Sequence, residues 1–211
     1  AHQHYVSLIR VPNIFMRIFE LIKAFLISVV CLLAFPVEAA KPSASISLKK
    51  NTNMAFGDVA SSVDGSGTAV INSNANSKYV TGSIVDFGGS VTRAKFTITK
   101  GTASGYVTIT LPTSLTISKS GTTLTIDNLT SDVGTTAQLD GSGGLVFYVS
   151  GRMNVAANQS AQSGLTGDLT VLVQDNTTST SDSATATVSG SVAAPISISA
   201  TTALSFGTIT P

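Results

Sequence analysis

The chain contains 211 residues, of which 43% are hydrophobic and 11% charged, and its formal net charge at pH 7 is +1. Its two histidines and its single cysteine all lie within residues 1–31. The near-neutral charge gives no basic surface for nucleic acid, and the remaining residues offer no Cys or His for metal sites, thiol nucleophiles or histidine-based triads.

Residues 16–40 have the plan of a secretory signal peptide. A short basic start leads into an apolar run at 24–35, and small residues follow it. This pattern predicts cleavage after Ala39 or Ala40. The apolar run has about 12 residues, whereas a membrane-spanning helix needs about 20, so we expect no membrane span in the mature chain.

Residues 1–15 precede Met16 and are interpreted as an upstream extension of the reading frame. The extension and the signal carry three of the 12 basic residues and two of the 11 acidic ones, so nine of each sign remain. The mature chain is therefore neutral, and it contains no His, Cys, Trp or Glu. Because the usual acid, base and nucleophile pairs need these side chains, we predict that the protein is not an enzyme.

After Ala40 the sequence consists of short runs in which apolar and polar residues alternate, separated by clusters of Gly, Asn, Asp and Ser. Such runs predict an all-β fold, either a β-sandwich or a barrel, and no stretch sustains a helical stripe. The predicted strands lie near residues 45–48, 54–59, 67–72, 79–87, 94–100, 106–111, 115–118, 123–129, 145–150 and 169–174.

The alternation also predicts which side chains face the core. In the run 94–99, Phe96 and Ile98 are expected to point inward, and the polar residues between them outward. A turn before residue 123 has Gly121 to supply a positive φ, which predicts a hairpin there. Three successive runs are expected to form a meander: 106–111, 115–118 and 123–129.

The end of the domain is less sharply marked. The run 175–183 contains no apolar residue and is interpreted as a loop or linker with little intrinsic order. Residues 184–188 alternate again, and the sequence leaves open whether they form the last strand of this domain or the lead-in to another. We therefore predict a domain over 41–174, with residue 192 as the alternative end, and a linker or last strand over 175–194.

An internal repeat relates residues 46–59 to residues 196–209. Aligned without a gap, ISLKKNTNMAFGDV and ISISATTALSFGTI share five residues, among them a Phe-Gly pair, and exchange one aliphatic residue for another at three more positions. The two copies are separated by about the size of one domain. Residues 195–211 are therefore predicted to be the truncated start of a second β domain.

Candidate sites are few. The tetrapeptide Asp-Gly-Ser-Gly begins at both Asp64 and Asp140, but calcium needs about six oxygen ligands and each copy offers one carboxylate, so a β-turn is favoured. A Ser nucleophile would have only Lys or Asp as its base, and no spacing selects a pair. We assign no catalytic, cofactor-binding or metal-binding residue and no cofactor.

The sequence also offers a shallow sugar-binding patch, comprising Asn72, Asn74, Asn76, Lys78 and Tyr79. The competing interpretation is a plain hydrophilic loop, and the chain has few aromatic rings on which a sugar could stack.

Several phrases occur in a characteristic order: Phe56-Gly57, then FTIT and GYVTITLP within 96–112, LTIDNLTS at 124–131 and NVAANQ at 154–159. This ordered set resembles the bacterial domain-of-unknown-function 4402 family over about residues 46–174. The resemblance implies an exported Ig-like β-sandwich that looks like a fimbrial subunit, and it brings no catalytic residues. One departure is Leu165, which lies where the family tends to have a Tyr and cannot donate a hydroxyl hydrogen bond.

These observations lead us to expect a non-enzymatic structural or adhesive module, exported through the secretory pathway to the bacterial surface or medium, with pilin-like assembly as one form. The expected partner is a protein, through self-association or through addition of a strand such as 45–48 or 196–198 to a neighbouring sheet. The alternative is a glycan-binding or Ca²⁺-binding module of a larger secreted protein. A hydrolase is the least favoured interpretation, and no nucleic-acid partner is expected.

Overall fold

The structure, a computed structural model, describes residues 45–194. The predicted upstream extension, the signal peptide and the second copy of the repeat at 196–209 lie outside the described residues. Within 45–194, no helix is long and apolar enough to cross a membrane.

Strands and their connections make up the described part of the chain, which contains no helix, and the all-β prediction is confirmed. The strands are β1 (Ser47–Thr52), β2 (Met54–Ala60), β3 (Gly67–Ile71), β4 (Lys78–Gly82), β5 (Val85–Gly88), β6 (Ala94–Thr99), β7 (Tyr106–Thr110), β8 (Ser114–Lys119), β9 (Thr122–Ser131), β10 (Thr136–Gln138), β11 (Leu145–Val155), β12 (Gln162–Asp175) and β13 (Ser181–Ala193).

These strands form one continuous sheet that curls on itself into a sandwich-like fold. Its main path follows the order β1-β6-β11-β9-β8-β12-β13-β2-β5, while β3 pairs with β11 and β4, and β7 pairs with β12 and β10. Among the described strands, the pair β2–β13 is parallel and the other pairs are antiparallel. The segment that contains β1 and β2 therefore contributes to two separate positions in the sheet, because β1 pairs with β6 and β2 pairs with β13.

Side chains also join the first strand to the last. The backbone N–H of Leu48 in β1 donates a 2.7 Å hydrogen bond to the carboxylate of Asp182 in β13. At the break between β1 and β2, the Asn53 side-chain oxygen accepts a 3.2 Å hydrogen bond from Thr187 N. A backbone N–H of the first strand and one of the last are thus bonded to side-chain oxygen atoms.

The core lies between the two faces of the curled sheet and is dominated by aromatic and aliphatic side chains. Phe56, Phe96 and Phe147 are fully buried, and each contributes roughly 1.5–3 kcal/mol relative to an exposed position. Phe96 and Phe147 are directly paired on β6 and β11, with stacked rings 5.5 Å apart between centroids. Phe96 and Ile98 both face inward, which confirms the prediction for that strand. Leu165 is also fully buried, so apolar packing occupies its position.

The repeated segment 46–59 owes its pattern to this core. Its five large apolar residues are at most 7% exposed: Ile46, Leu48, Met54, Phe56 and Val59. Gly57 has a φ of 67°, the left-handed region that glycine favours. A Cβ at Gly57 would collide with the Gly88 carbonyl oxygen and lie 3.0 Å from Lys78 Nζ. The second copy keeps an apolar residue at all five positions and keeps the glycine, so the repeat preserves the features that packing demands.

The strand predicted at 79–87 is two strands, β4 and β5. Gly82 has a φ of 76°, which turns the chain at the end of β4. Ile84 in the connection is buried at 5% exposure, and Ser83 N donates to Ser66 O at 3.1 Å. The prediction was wrong because alternation alone does not detect a left-handed glycine followed by a buried connection.

The predicted meander is correct for two of its three strands. β8 and β9 form a hairpin through Ser120 and Gly121, whose φ values of 49° and 85° are those of a type I′ turn. β7 does not pair with β8; its Ile109 pairs with Val173 of β12. Pro112, which lacks an N–H for a ladder, lies in the loop where the chain leaves one part of the sheet for another.

The polar run 175–183 is a turn and the start of a strand, so its interpretation as a poorly ordered loop was wrong. Asp175 is 1% exposed, and its carboxylate accepts hydrogen bonds from Thr102 N (2.7 Å), Thr177 N (2.8 Å) and Thr178 N (3.2 Å). β13 then pairs with β12 from Ser181 to Val192. Of the two alternatives left open by the sequence for this segment, the structure has the strand.

Candidate functional site

A polar cleft of about 290 Å³ opens between β3, β9 and β11. Tyr79, 55% exposed, forms one side of it. Most of the remaining lining side chains carry amide or hydroxyl groups: Asn72, Ser73, Asn128, Thr130 and Ser150. Val70, Ile71 and Gly151 complete the lining. The cleft therefore combines one exposed ring with hydrogen-bonding groups that carry no charge.

A β-bulge places Asn128 at this cleft. The pairing of β9 with β11 shifts between Thr130↔Ser150 and Asp127↔Arg152, which leaves Asn128 and Leu129 opposite the single residue Gly151. Asn128 has a φ of 49°, a conformation that Asn adopts more readily than most residues. Bulges re-aim side chains, and here the bulge gives the cleft an amide group that regular alternation would have placed elsewhere.

Side-chain hydrogen bonds join β9 and β11, the two strands that carry part of the cleft lining. The hydroxyls of Thr130 and Ser150 lie 3.1 Å apart, and Ser150 is buried. Beside the bulge, Arg152 binds Asp127 through two hydrogen bonds of 2.8 and 3.1 Å. The Arg152 hydrogen bond lowers the pKa of Asp127, with a smaller contribution from Asn154. The pair is ionised at neutral pH and its charges cancel.

The structure brings together only two of the five residues of the predicted sugar-binding patch. Asn72 and Tyr79 line the cleft. Asn74 donates its N–H to the Asn72 side chain at 2.9 Å, and Asn76 accepts a hydrogen bond from Arg93 N at 3.1 Å. The inclusion of Lys78 was wrong, because its side chain is 2% exposed.

The sequence-based prediction of a sugar-binding patch did not include three residues that line the cleft: Asn128, Thr130 and Ser150. They lie on strands far from Tyr79 in the chain. One signal was present: the alternation of β9 breaks at Asp127-Asn128, and a break of this kind inside a strand indicates a bulge.

The Lys78 amine binds three oxygen atoms between β4, β2 and β5. Its Nζ donates hydrogen bonds of 2.8 Å to Asp58 O and to Gly88 O, and it lies 2.9 Å from Asp86 Oδ1. The Lys78 hydrogen bond lowers the pKa of Asp86. The lysine therefore ties β5 to β2 and β4, and its amine is engaged in these three contacts.

The two Asp-Gly-Ser-Gly segments lie in separate loops. In the second, Gly143 N donates to Asp140 O at 3.0 Å, which is the predicted β-turn. The Asp140 Oδ1 accepts hydrogen bonds from Ser142 Oγ (2.7 Å), Ser142 N (2.8 Å) and Gly144 N (2.8 Å), which lower the pKa of this carboxyl group. Among residues 45–194, no three Asp, Glu, His or Cys residues converge as metal ligands.

An apolar groove of about 530 Å³ lies where β13 ends. Phe87 of β5, 52% exposed, forms one wall, and Ala161, Val192 and Ala193 contribute to the other side. Within the described residues, β5 pairs with β2 and has an open second edge. Val85 on the same strand is 56% exposed. Val85 and Phe87 are two positions apart on β5 and so present exposed apolar side chains on the same face of this strand.

The geometry defines an all-β, sandwich-like domain with a neutral polar cleft on one surface and an apolar groove at the end of its last strand. A family model with the description "Domain of unknown function (DUF4402)" matches residues 46–174. The chain belongs to this family. The match ends before β13, which the structure nevertheless places in the sheet between β12 and β2. Searches of curated proteins and of solved structures returned no match.

Proposed function

We propose that the protein is a non-enzymatic structural or adhesive module, exported to the bacterial surface. The observation that carries this proposal is how the ionisable groups of the domain are used. Asp175 binds three backbone N–H groups, Lys78 binds two carbonyls and a carboxylate, and Asp140 binds its own turn. Each holds loops or strands in place, and the residues after Ala40 include no His, Cys or Glu for other chemistry.

The sheet pairing supports one site of association for such a module. Residue 46 and β1 are engaged in their own domain, since Ile46 and Leu48 are buried and β1 pairs with β6. β13 fills the place between β12 and β2, so that position in the sheet of the described residues is taken by the chain's own strand. Among the described strands β1, β4, β5 and β10 each pair with one neighbour. In the pilin-like form of the proposal, strand addition takes place at β5, because its Val85 and Phe87 are 56% and 52% exposed.

Export and assembly are tested with the chain from Met16 onward in a Gram-negative host. The proposal predicts a mature N-terminus near residue 40 or 41, protein accessible to external protease on whole cells, and increased attachment of those cells to surfaces. Cytoplasmic retention of the uncleaved chain would contradict export. The structural and adhesive roles would be contradicted if the protein reached the cell surface but cell attachment did not change and the purified protein sedimented as a monomer.

A second candidate function is glycan binding, favoured by the cleft beside Tyr79. Sugars are held by amide and hydroxyl groups together with the face of an aromatic ring, and the cleft supplies these groups without net charge. Chemical-shift titration of the mature domain with a panel of neutral mono- and disaccharides tests it, and an absence of shifts around the cleft would remove it. The Ca²⁺ form of this alternative has less support because Asp140 is engaged by its own turn.

A further inference from the structure

A second polar cleft, of about 350 Å³, opens on the same strands as the cleft beside Tyr79. Its polar side chains come from β3, β9 and β11 and from the segments next to them: Ser66, Thr68, Thr123, Thr125, Asn154 and Gln159. Like the first cleft, the second has no charged side chain in its lining. These strands therefore carry two neutral polar clefts.

The two clefts lie on one face of the sheet. Met153 of β11 is fully buried in the core, so its neighbours in the chain, Arg152 and Asn154, point to the outer face. Ser150 precedes Arg152 by two positions and points the same way. Ser150 lines the first cleft and Asn154 lines the second. Because these two residues are four positions apart, the clefts are separated by about 13 Å along the strand.

The ion pair of Arg152 and Asp127 lies between the clefts. Arg152 is paired with Val70 of β3 on one side and with Asp127 of β9 on the other, in a row between those of Ser150 and Asn154. The side chains of Arg152 and Asp127 are 40% and 30% exposed, so a donor and an acceptor reach the surface there. Hydrogen-bonding groups thus continue from one cleft to the other without a net charge.

The strand pairing restricts the class of ligand that this surface can take. Both edges of β11 are occupied, since Met153 is paired with Ala69 of β3 and with Ile126 of β9. A peptide strand therefore has no backbone ladder to join, and recognition must come from side chains. Hydroxyl and amide groups together with the exposed ring of Tyr79 suit a neutral, polyhydroxylated molecule. The surface is longer than one sugar ring, which favours an oligosaccharide.

We propose that the two clefts form one extended site for a neutral oligosaccharide. One sugar ring lies against Tyr79, and further rings of the same chain pass over Arg152 to Asn154 and Thr125. The inference rests on the glycan-binding candidate function and goes beyond it by assigning the length of the ligand and a second region of contact. Contacts at the second cleft are then intramolecular once the first ring is bound, so affinity rises with chain length.

The experiment titrates saccharides into the chain 41–211 and follows its amide chemical shifts. The ligands are cellotetraose, maltotetraose, mannotetraose and N-acetylchitotetraose, together with the monosaccharide of each series. In at least one series, the tetrasaccharide is expected to shift amides at both clefts and to bind about tenfold or more tightly than its monosaccharide. The monosaccharide is expected to shift amides at the cleft beside Tyr79 alone.

Substitutions in the second cleft separate its contribution from that of the first. Asn154→Ala and Thr125→Ala are each expected to weaken binding of the tetrasaccharide several-fold, up to about tenfold, and to leave binding of the monosaccharide unchanged. Tyr79→Ala is expected to weaken binding of both ligands. The matched control is Thr185→Ala, at an exposed position of β13, which is expected to change neither affinity.

The possible outcomes distinguish this inference from the candidate function on which it rests. Equal affinities and identical shifts for the monosaccharide and the tetrasaccharide would overturn the extended site and leave glycan binding beside Tyr79 in place. Tetrasaccharide binding that neither Asn154→Ala nor Thr125→Ala weakens would also overturn the extended site. An absence of shifts with every saccharide would overturn both the extended site and glycan binding.

Discussion

Lys78 Nζ lies 2.9 Å from Asp86 Oδ1, yet the two side chains differ sharply in exposure, at 2% and 40%. The same amine donates to Asp58 O and Gly88 O at 2.8 Å. The lysine thus contacts two backbone carbonyls as well as the carboxylate, whereas within residues 45–194 Asp86 has only the lysine as its ion-pair partner. This arrangement predicts unequal effects from removing the two charged residues.

Lys78→Met is expected to lower the free energy of unfolding by about 1–3 kcal/mol, since it removes two hydrogen bonds to backbone carbonyls that each contribute about 0.5–1.5 kcal/mol. Asp86→Asn is expected to cost less than about 1 kcal/mol, because an exposed partner of an ion pair contributes little. Urea denaturation measures both values, and hydrogen exchange at β5 reports local opening. Equal losses for the two variants would show that the ion pair, rather than the carbonyl contacts, holds β5.

Gly57→Ala is expected to destabilise the domain by roughly 2–4 kcal/mol. The substitution places a Cβ in a left-handed conformation and against the Gly88 carbonyl and Lys78 Nζ. Gly141→Ala is the matched control, because nothing lies within 4 Å of a Cβ at that position. Thermal unfolding of both variants measures the difference. If Gly57→Ala were as stable as the unmodified protein, packing would not explain why the repeat keeps its Phe-Gly pair.

Asp175 gives the domain a pH-dependent contribution to stability. Burial tends to raise the pKa of its carboxyl group, but the hydrogen bonds from Thr102, Thr177 and Thr178 outweigh burial, and the pKa lies below the usual 3.8. The stabilisation is therefore fully present above the unfolded-state pKa and is lost as pH falls through the lowered, folded-state pKa.

Asp175→Asn is expected to cost about 1–3 kcal/mol at pH 7, and its difference from the unmodified protein should shrink as pH falls below about 4. Unfolding free energies measured by urea denaturation between pH 7 and pH 2 give this difference directly. Asp168→Asn on the exposed face of β12 is the control, with an expected effect within about 0.5 kcal/mol. If the difference in unfolding free energy between Asp175→Asn and the unmodified protein did not change with pH, ionisation of Asp175 would not contribute to stability.

Substitutions of Asn128 at the bulge distinguish its effect on stability from its effect on binding in the cleft. Asn128→Gly keeps access to a φ of 49° and is expected to retain stability within about 0.5 kcal/mol, while Asn128→Val is expected to cost about 1–3 kcal/mol of strain. If the cleft binds a saccharide, Asn128→Gly and Tyr79→Ala weaken the titration shifts, and Tyr106→Ala, at another exposed tyrosine, does not. Weakening by Tyr106→Ala alone would place the sugar elsewhere.

Local patterns in the sequence predict a large part of the fold. Period-two alternation was sufficient to place Phe96 and Ile98 in the core, and the turn glycine Gly121 was sufficient to place the β8–β9 hairpin. These features depend on residues close together in the chain. The burial of Lys78 was not predictable in the same way, because the carbonyls that it binds belong to β2 and β5 and meet only in the folded sheet.

Long-range pairing also explains the errors at the end of the domain. The run 175–183 is polar, and nothing within it indicates that Asp175 binds Thr102 from a distant loop. The parallel pairing of β13 with β2 likewise joins the two ends of the domain. The cleft was predicted in part, through Asn72 and Tyr79, because its other wall comes from strands that sequence spacing does not relate to them.

The parallel contact between β2 and β13 has a mechanical consequence for a chain held at both ends. The chain enters at β1 and β2 and leaves after β13, and parallel neighbours have these two ends at opposite extremes of the pair. Tension therefore pulls the strands along their length and loads their hydrogen bonds together, whereas a hairpin pulled at its open end loses its bonds one after another. The domain is therefore expected to resist stretching, because its β2–β13 hydrogen bonds share the load in shear.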